Sequence, residues 1–428
     1  MKILIISHAF PPTNAIASLR PYSWAKFWSK AGHEITVLTT KKVPNESDLR
    51  LDCSGFEIIS IDYLKYYPIL DRRYQRESTG NINNALKSKK HFVSNRIRRF
   101  FFKTGTFTRD CRLPNLYQLW INPAVNNIII SGRKWDIAIA TFAPFAAFQI
   151  ADKLKQVGIV KRNVLDFRDL WTDSHLFKGI FPFQIFERKM EKKLCRNADM
   201  ITVVSEPLAE VLRLKYNNVF TIMNAFDLDD LKQISSEKYF NNNKINIVYT
   251  GSIYPGHRDP TPLFEAMYQL KKEGYSLEKI CLYFIGSNIG DVQRLIDKYN
   301  LSDYVFSSSL VSREDSLRIQ RDANILLFLE DNKAITDGIM TGKLFEYLFS
   351  GSLIWCIGKR WLPSRIVEEN NLGCVLENDV LKIKEHLIEI LTSGLPRKID
   401  QSELIGRLSQ YTREYQADLL LSKMMELI

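Results

Sequence analysis

Between Ala334 and Gly358 the chain reads AITDGIMTGKLFEYLFSGSLIWCIG, and it places a glycine-bearing loop, a lysine and one carboxylate within a few residues of each other. Backbone amides at Gly338, Ile339, Thr341 and Gly342, where an apolar helix begins, suit an anion. Lys343 adds a point charge. Glu346, one turn into the helix, cannot usefully bind phosphate, but it can accept hydrogen bonds from vicinal hydroxyls. Two further stretches carry related chemistry. In YTGSIYPGHRDPTPLFEA (249–266), Gly251 and Ser252 let backbone approach a phosphate and Arg258 adds charge. Asp259 is then expected to cap the following helix, with Pro260 at its first position. FIGSN (284–288) supplies Gly286 at the end of another apolar run. Amides and cations for two phosphates, with an acid for a ribose, make a nucleoside diphosphate the ligand class. Each motif alone is weak, since a lone Gly-Lys is common and a helical Glu is usually solvated. Their shared position after successive strands raises the case.

The elements that must position these groups are legible as short apolar runs alternating with helical patterns. KILII (2–6), EITVLT (34–39), WDIAIA (135–140), NVLDF (163–167), MITVV (200–204) and VFTIM (219–223) read as strands. A helix bearing Leu19, Tyr22, Phe27 and Trp28 ends near Gly32. The polar stretch NAFDLDDLKQISSEKYFNNNK (224–244) interrupts the pattern and reads as a linker. Then INIVYT (245–250), KICLYFIG (279–286), NILLFL (324–329) and LIWCI (353–357) resume it. Compact apolar strands between helices imply parallel sheets covered on both faces. The expected fold is α/β, with two Rossmann-like doubly wound domains at 1–223 and 245–410. The final helix, 411–428, is free to cross back to the first domain.

The chain has 428 residues, too many for one core. Six cysteines without a CxxC pair argue against a zinc site or a disulfide framework. The apolar run Ile3–Ile6 is too short for a signal peptide. The uncharged run 137–151 contains Pro144 and is too short to span a membrane. Residues 1–200 hold 33 Lys and Arg against 17 Asp and Glu, so the net charge of +11 belongs to the first half. Between about 62 and 114 the alternation fails. There, residues 87–112 carry nine basic side chains with one acid, and phenylalanines at 92, 100, 101, 102 and 107 are interleaved. Cations with bulky rings suit an anionic membrane surface. No nucleic-acid motif accompanies the charge. SHAFPPTNAIAS, after the first strand, lacks the glycines that a dinucleotide-dependent dehydrogenase needs.

Taken together, these motifs resemble those of retaining glycosyltransferases of the family 4 type, in the branch that builds cell-surface polysaccharides such as lipopolysaccharide and capsule. The resemblance runs from end to end. MKILIISHAFPP, AGHEITVLTT, VLDFRDLWTD (164–173), NADMITVVSEPLAEVL (197–212) and NAFD (224–227) match in order, and the 249–266 and 341–351 stretches are the most specific. The resemblance implies the architecture called GT-B, in which the two domains face a central cleft. It implies that the second domain binds the nucleotide sugar, UDP- or GDP-linked. Gly251, Ser252, Arg258, Gly286, Gly338, Ile339, Thr341, Gly342, Lys343 and Glu346 would line the donor site, with Arg258 and Lys343 balancing the leaving diphosphate. His8, Arg20, Asp166, Arg168 and Asp169 would lie on the acceptor side. It further implies retention at the anomeric carbon, no metal or other cofactor, and a cytoplasmic location at the inner membrane face with a polysaccharide or lipid-linked acceptor.

At two positions the chain departs from the family pattern. Many members carry an acid where this chain has Gly338; the adjacent Asp337 is a candidate substitute, although a one-residue shift points a side chain elsewhere. Many also carry a histidine in the stretch matching TFAPFAAFQIA, close to Phe148. These gaps favour one alternative, a non-catalytic nucleotide-binding or scaffold member of a glycan assembly complex; another is a GT-B-fold sugar epimerase, which would not need the basic aromatic segment. Base, sugar, acceptor, linkage and oligomeric state are not written in the sequence.

Overall fold

The computed structural model describes residues 1–41, 49–63, 65, 112–174, 179–232, 234–253, 257–286, 290–330, 337–395 and 398–428. The basic aromatic segment anticipated around 87–112 therefore lies outside the described residues, except for Arg112. The chain divides into two units, Met1–Met223 with Gln416–Ile428, and Asn224–Tyr415.

The first unit is built on seven parallel strands, β1 (Lys2–Ile6), β2 (Glu34–Thr40), β3 (Glu57–Ile61), β4 (Trp135–Thr141), β5 (Val160–Phe167), β6 (Met200–Val203) and β7 (Val219–Thr221). Their order is β3-β2-β1-β4-β5-β6-β7. Alternation along β1 divides the interior into two layers. Leu4 and Ile6 face one core with Trp120, Phe148 and Phe167. Ile3 and Ile5 face the other, with Trp24, Trp28 and, from the last helix (Arg413–Met425), Ala417, Leu420 and Met424. The Trp28 indole donates to the Ala417 carbonyl at 2.9 Å, so a buried polar group is satisfied where that helix docks.

The second unit has six parallel strands, β8 (Ile245–Thr250), β9 (Ile280–Ile285), β10 (Val305–Ser308), β11 (Ile325–Leu329), β12 (Leu353–Ile357) and β13 (Gly373–Val375), in the order β10-β9-β8-β11-β12-β13. Its core joins Tyr249, Leu282, Phe284, Leu327, Leu329 and Trp355 to the helices on one face of the sheet. Both sheets share one wiring, 3-2-1-4-5-6 with a seventh strand in the first. Three outer strands escaped the sequence pattern. EIISI (β3), VFSS (β10) and GCV (β13) are short and partly exposed, so they lack the continuous apolar run of the central strands. Among the described residues, no helix is long and apolar enough to cross a membrane.

Candidate functional site

In the second sheet the strand order reverses between β8 and β11, and ligands of open α/β sheets bind beyond the carboxyl ends at such a point. Gly251 follows β8 with φ at +113°, and its amide donates to the Ile285 carbonyl at 2.7 Å. Gly286 follows β9, and its amide donates to the Ser308 carbonyl. A Cβ at Gly286 would stand 2.2 Å from the Gly251 oxygen, and one at Gly251 would stand 2.3 Å from both Cε and Nζ of Lys343. The two glycines thus let strand ends and a lysine stack at a spacing no side chain permits.

Lys343 enters from the helix Gly342–Leu348. Its Nζ donates to the Tyr249 hydroxyl at 2.9 Å and lies 4.3 Å from that ring's centroid. The Tyr249 hydroxyl in turn donates to the Ser252 carbonyl at 2.8 Å. Burial, with Arg258 nearby, pulls the Lys343 pKa down to about 7, and Glu346 works against the shift. A buried lysine with a second cation acting on it is an environment that favours a bound anion.

Glu346 is held from two sides. One oxygen accepts from Arg313 Nη1 at 2.9 Å and the other from Gln320 Nε2 at 3.0 Å. Arg313 is itself fixed by Asp230 at 2.6 Å, on the short helix Asp229–Lys232 that follows the NAFD motif. Burial opposes the charge on Arg313, yet Glu346 and Asp230 together hold its pKa above the ordinary value. Gln320 also reaches Thr250 Oγ1 at the end of β8. Each carboxylate oxygen has a second acceptor site, so an oriented Glu346 can still take a hydroxyl donor.

Gly338 has φ at +105°, a backbone conformation that disfavours any side chain. The missing acid is therefore matched to the loop's backbone. Asp337 does not stand in for it. Its carboxylate pairs with Arg365 at 2.7 Å and accepts from the Leu362 amide, toward the helix Leu362–Glu369. Thr341 precedes the helix Gly342–Leu348 without a side-chain cap bond, and Ile339 lies partly exposed in the same loop. Asp259 accepts from the Thr261 amide at 2.9 Å, and the helix starts at Thr261 rather than at Pro260. The proline in the first turn is Pro262.

The sequence pattern missed Arg313, Gln320, Asp230, Tyr249 and Glu330. Only Tyr249 sits in a motif, and all are brought to their partners by pairing across 20 residues or more. Glu330 follows β11, accepts from the Ser364 amide at 3.1 Å and is 5% exposed. Burial, then nearby Asp337, raises its pKa to about 8, while Arg258 pulls it back.

In the first unit, Arg20 and Asp166 are turned on each other. The Asp166 carboxylate accepts from Arg20 at 2.7 and 3.1 Å and from Thr141 and Thr202 at 2.8 Å. Arg20 also donates to the Met223 and Ile222 carbonyls. Both side chains are buried and engaged with each other, so the pair braces β4, β5 and β6 from within. Arg168 follows β5 and binds the Phe142 and Ala143 carbonyls. Asp169 beside it is exposed. His8, after β1, lies edge-on to Tyr117 with centroids 4.5 Å apart. Phe148, near the family histidine, is fully buried and packs 4.9 Å from Phe167. That position belongs to the core of this chain. Arg112 is buried too, with its guanidinium on Glu187 at 3.1 Å, and is not a surface cation.

No protein-family model matches the chain, and no curated protein sequence matches it. By structure it is similar to sucrose-phosphate synthase from Thermosynechococcus elongatus, at 14% identity and a TM-score of 0.65, covering 100% of this chain and 99% of that one. It is likewise similar to a glycosyltransferase from Rickettsia africae (13%, TM-score 0.62, 100% and 98%). A third is an alpha,alpha-trehalose-phosphate synthase (UDP-forming) from Burkholderia xenovorans (10%, TM-score 0.61, 99% and 99%). At these identities the likeness shows the fold. The chain has the two-domain α/β architecture called GT-B, with parallel sheets of seven and six strands.

Proposed function

We propose that the chain is a family 4-type glycosyltransferase of cell-surface glycan synthesis. It moves a hexose or aminohexose from a UDP- or GDP-linked donor to a polysaccharide or lipid-linked acceptor, with retention at the anomeric carbon. The observation that carries this reading is the stack of Gly251, Gly286 and Lys343 at the carboxyl ends of β8 and β9, with Glu346 held beside it by Arg313. Lys343, Arg258 and the amides around Gly338–Gly342 receive the diphosphate, and Glu346 receives the ribose hydroxyls. In the transfer, the bond from the anomeric carbon to the diphosphate oxygen breaks. An acceptor oxygen bonds to the same face, and its proton passes to the departing phosphate. Positive charge already in place around the diphosphate stabilises the negative charge that develops there, so the reading calls on no metal ion. On the first unit, His8, Arg168 and Asp169 at the carboxyl ends of β1 and β5 are assigned to the acceptor. The basic segment 87–111 is assigned to the anionic inner face of the membrane.

A second reading rests on the pairing of Asp337 with Arg365 and on Gly338's lack of a side chain. It makes the chain a nucleotide-binding partner that does not transfer. One experiment separates the two, a panel of nucleotide sugars offered with native membrane acceptor, run beside thermal melting with UDP, GDP and ADP. The proposal expects one nucleotide to raise the melting temperature and the matching sugar to turn over. Stabilisation without turnover selects the second reading. Epimerised nucleotide sugar formed without acceptor selects an epimerase. No shift with any nucleotide removes the donor site altogether.

A further inference from the structure

The helix Phe183–Asn197 segregates its charges in an unusual way. Its two acids face inward. Glu187, fully buried, holds Arg112 and accepts from the Leu113 amide at 2.8 Å. Glu191, 3% exposed, accepts from the Thr172 amide at 2.8 Å and the Tyr216 hydroxyl at 3.1 Å. Leu194 and Cys195 complete the buried stripe. All five cations of the helix, Arg188, Lys189, Lys192, Lys193 and Arg196, are exposed. Acids normally belong on the solvent face of a surface helix, so moving both inside leaves an outer face of one sign.

Apolar side chains stand at the amino-terminal end of this face. Phe181 is 72% exposed, Phe186 57% and Ile185 45%. On a helical repeat of 3.6 residues, Ile185, Lys189, Lys192 and Arg196 share one outward stripe, flanked by Phe186 and Lys193. An apolar tip thus continues into a cationic shaft on one surface.

We infer that this face docks on an anionic phospholipid bilayer, with Phe181, Ile185 and Phe186 entering the acyl boundary and the five cations meeting head groups. A lysine or arginine near an anionic leaflet gains roughly a factor of five in partitioning, and inserted rings add apolar burial. A second copy of the chain fits poorly, because two such faces would set five like charges against five. Three apolar side chains also fall short of the buried area that stable protein interfaces need. The inference uses only described residues of the first unit. It rests neither on residues 87–111 nor on the transferase reading.

The test is co-sedimentation of the full chain with phosphatidylcholine vesicles, with and without phosphatidylglycerol. Binding is expected only with phosphatidylglycerol and is released as salt rises. The variant Lys189→Glu/Lys192→Glu/Lys193→Glu should lower the partition coefficient by roughly 100-fold or more. Phe181→Ser/Phe186→Ser should lower it by about tenfold or more while leaving the salt dependence in place. Lys382→Glu, at an exposed position of the second unit, should change nothing. All of these side chains are exposed, so circular dichroism and melting should match the parent. Failure of the parent chain to bind overturns the inference, as does a folded triple variant that binds like the parent. It fails also if Phe181→Ser/Phe186→Ser turns a dimer into a monomer without affecting vesicle binding, since the face would then join copies of the chain.

Discussion

Lys343→Met isolates the charge at the centre of the candidate donor site while keeping the length of the chain that packs on Gly251. The lysine's ordinary pKa is 10.5, and in the folded protein burial and Arg258 bring it to about 7. Below about pH 7 both states hold the proton, and folding carries the full cost of burying the charge. Between about 7 and 10.5 the unfolded chain holds a proton that the folded chain has lost, so stability rises with pH across that window. Relative to Lys343→Met, the unfolding constant of the parent protein should fall roughly tenfold per pH unit there, about 5 kcal/mol in all. Urea unfolding of both proteins from about pH 7 to about pH 9 reads the difference, and other titrating groups cancel in the subtraction. A bound diphosphate restores the proton, because an opposite charge favours the ammonium form. Calorimetry with UDP or GDP near pH 8 should therefore show proton uptake in the parent and none in Lys343→Met. The variant should also bind about 10- to 100-fold more weakly, the worth of one hydrogen bond to a charged group. Parallel unfolding curves, or equal proton uptake by the two proteins, would refute the reasoning.

Gly251→Ala should cost about 1–3 kcal/mol through its left-handed backbone and displace Lys343, whose Nζ stands 2.3 Å from the new methyl; melting and nucleotide titration check it, and wild-type values in both would be decisive against the stack. Arg20→Met should cost about 3–5 kcal/mol by urea unfolding because it strands a buried Asp166, whereas Arg20→Met/Asp166→Leu should recover part of that loss. Arg313→Gln and Glu346→Ala should each weaken nucleotide binding, and the double variant should lose little more than either single one. Losses that simply add would mean Arg313 does not act through Glu346.

The central strands, the GT-B pattern of two tandem domains and the glycine-rich turns were all legible in the sequence. Periodicity and turn chemistry are local properties, and parallel strands buried on both faces announce themselves as apolar runs. Gly251 and Gly286 were recognisable as glycines near a phosphate. That they stack on each other and on Lys343 depends on the pairing of β8 with β9, which no local pattern encodes. The edge strands β3 and β10 were missed because their outward residues need not be apolar.

The candidate site divides in the same way. Lys343 and Glu346 are neighbours in the chain and could be proposed together. The Arg313 and Asp230 that hold Glu346 come from 33 and 116 residues earlier, and only the folded unit brings them within reach. Tertiary structure also adds two facts that no local pattern holds. A sequence shows that Arg20 and Asp166 are charged, but not that 146 residues of chain close to set one against the other in a core that excludes water. It shows that Gly338 lacks a side chain, but the left-handed turn that favours glycine there is a property of the folded loop. Residue type and local spacing determined which chemistry was possible. Burial and long-range pairing decided which of those groups remain available to a ligand, because desolvation and a fixed partner act only once the chain has closed around them.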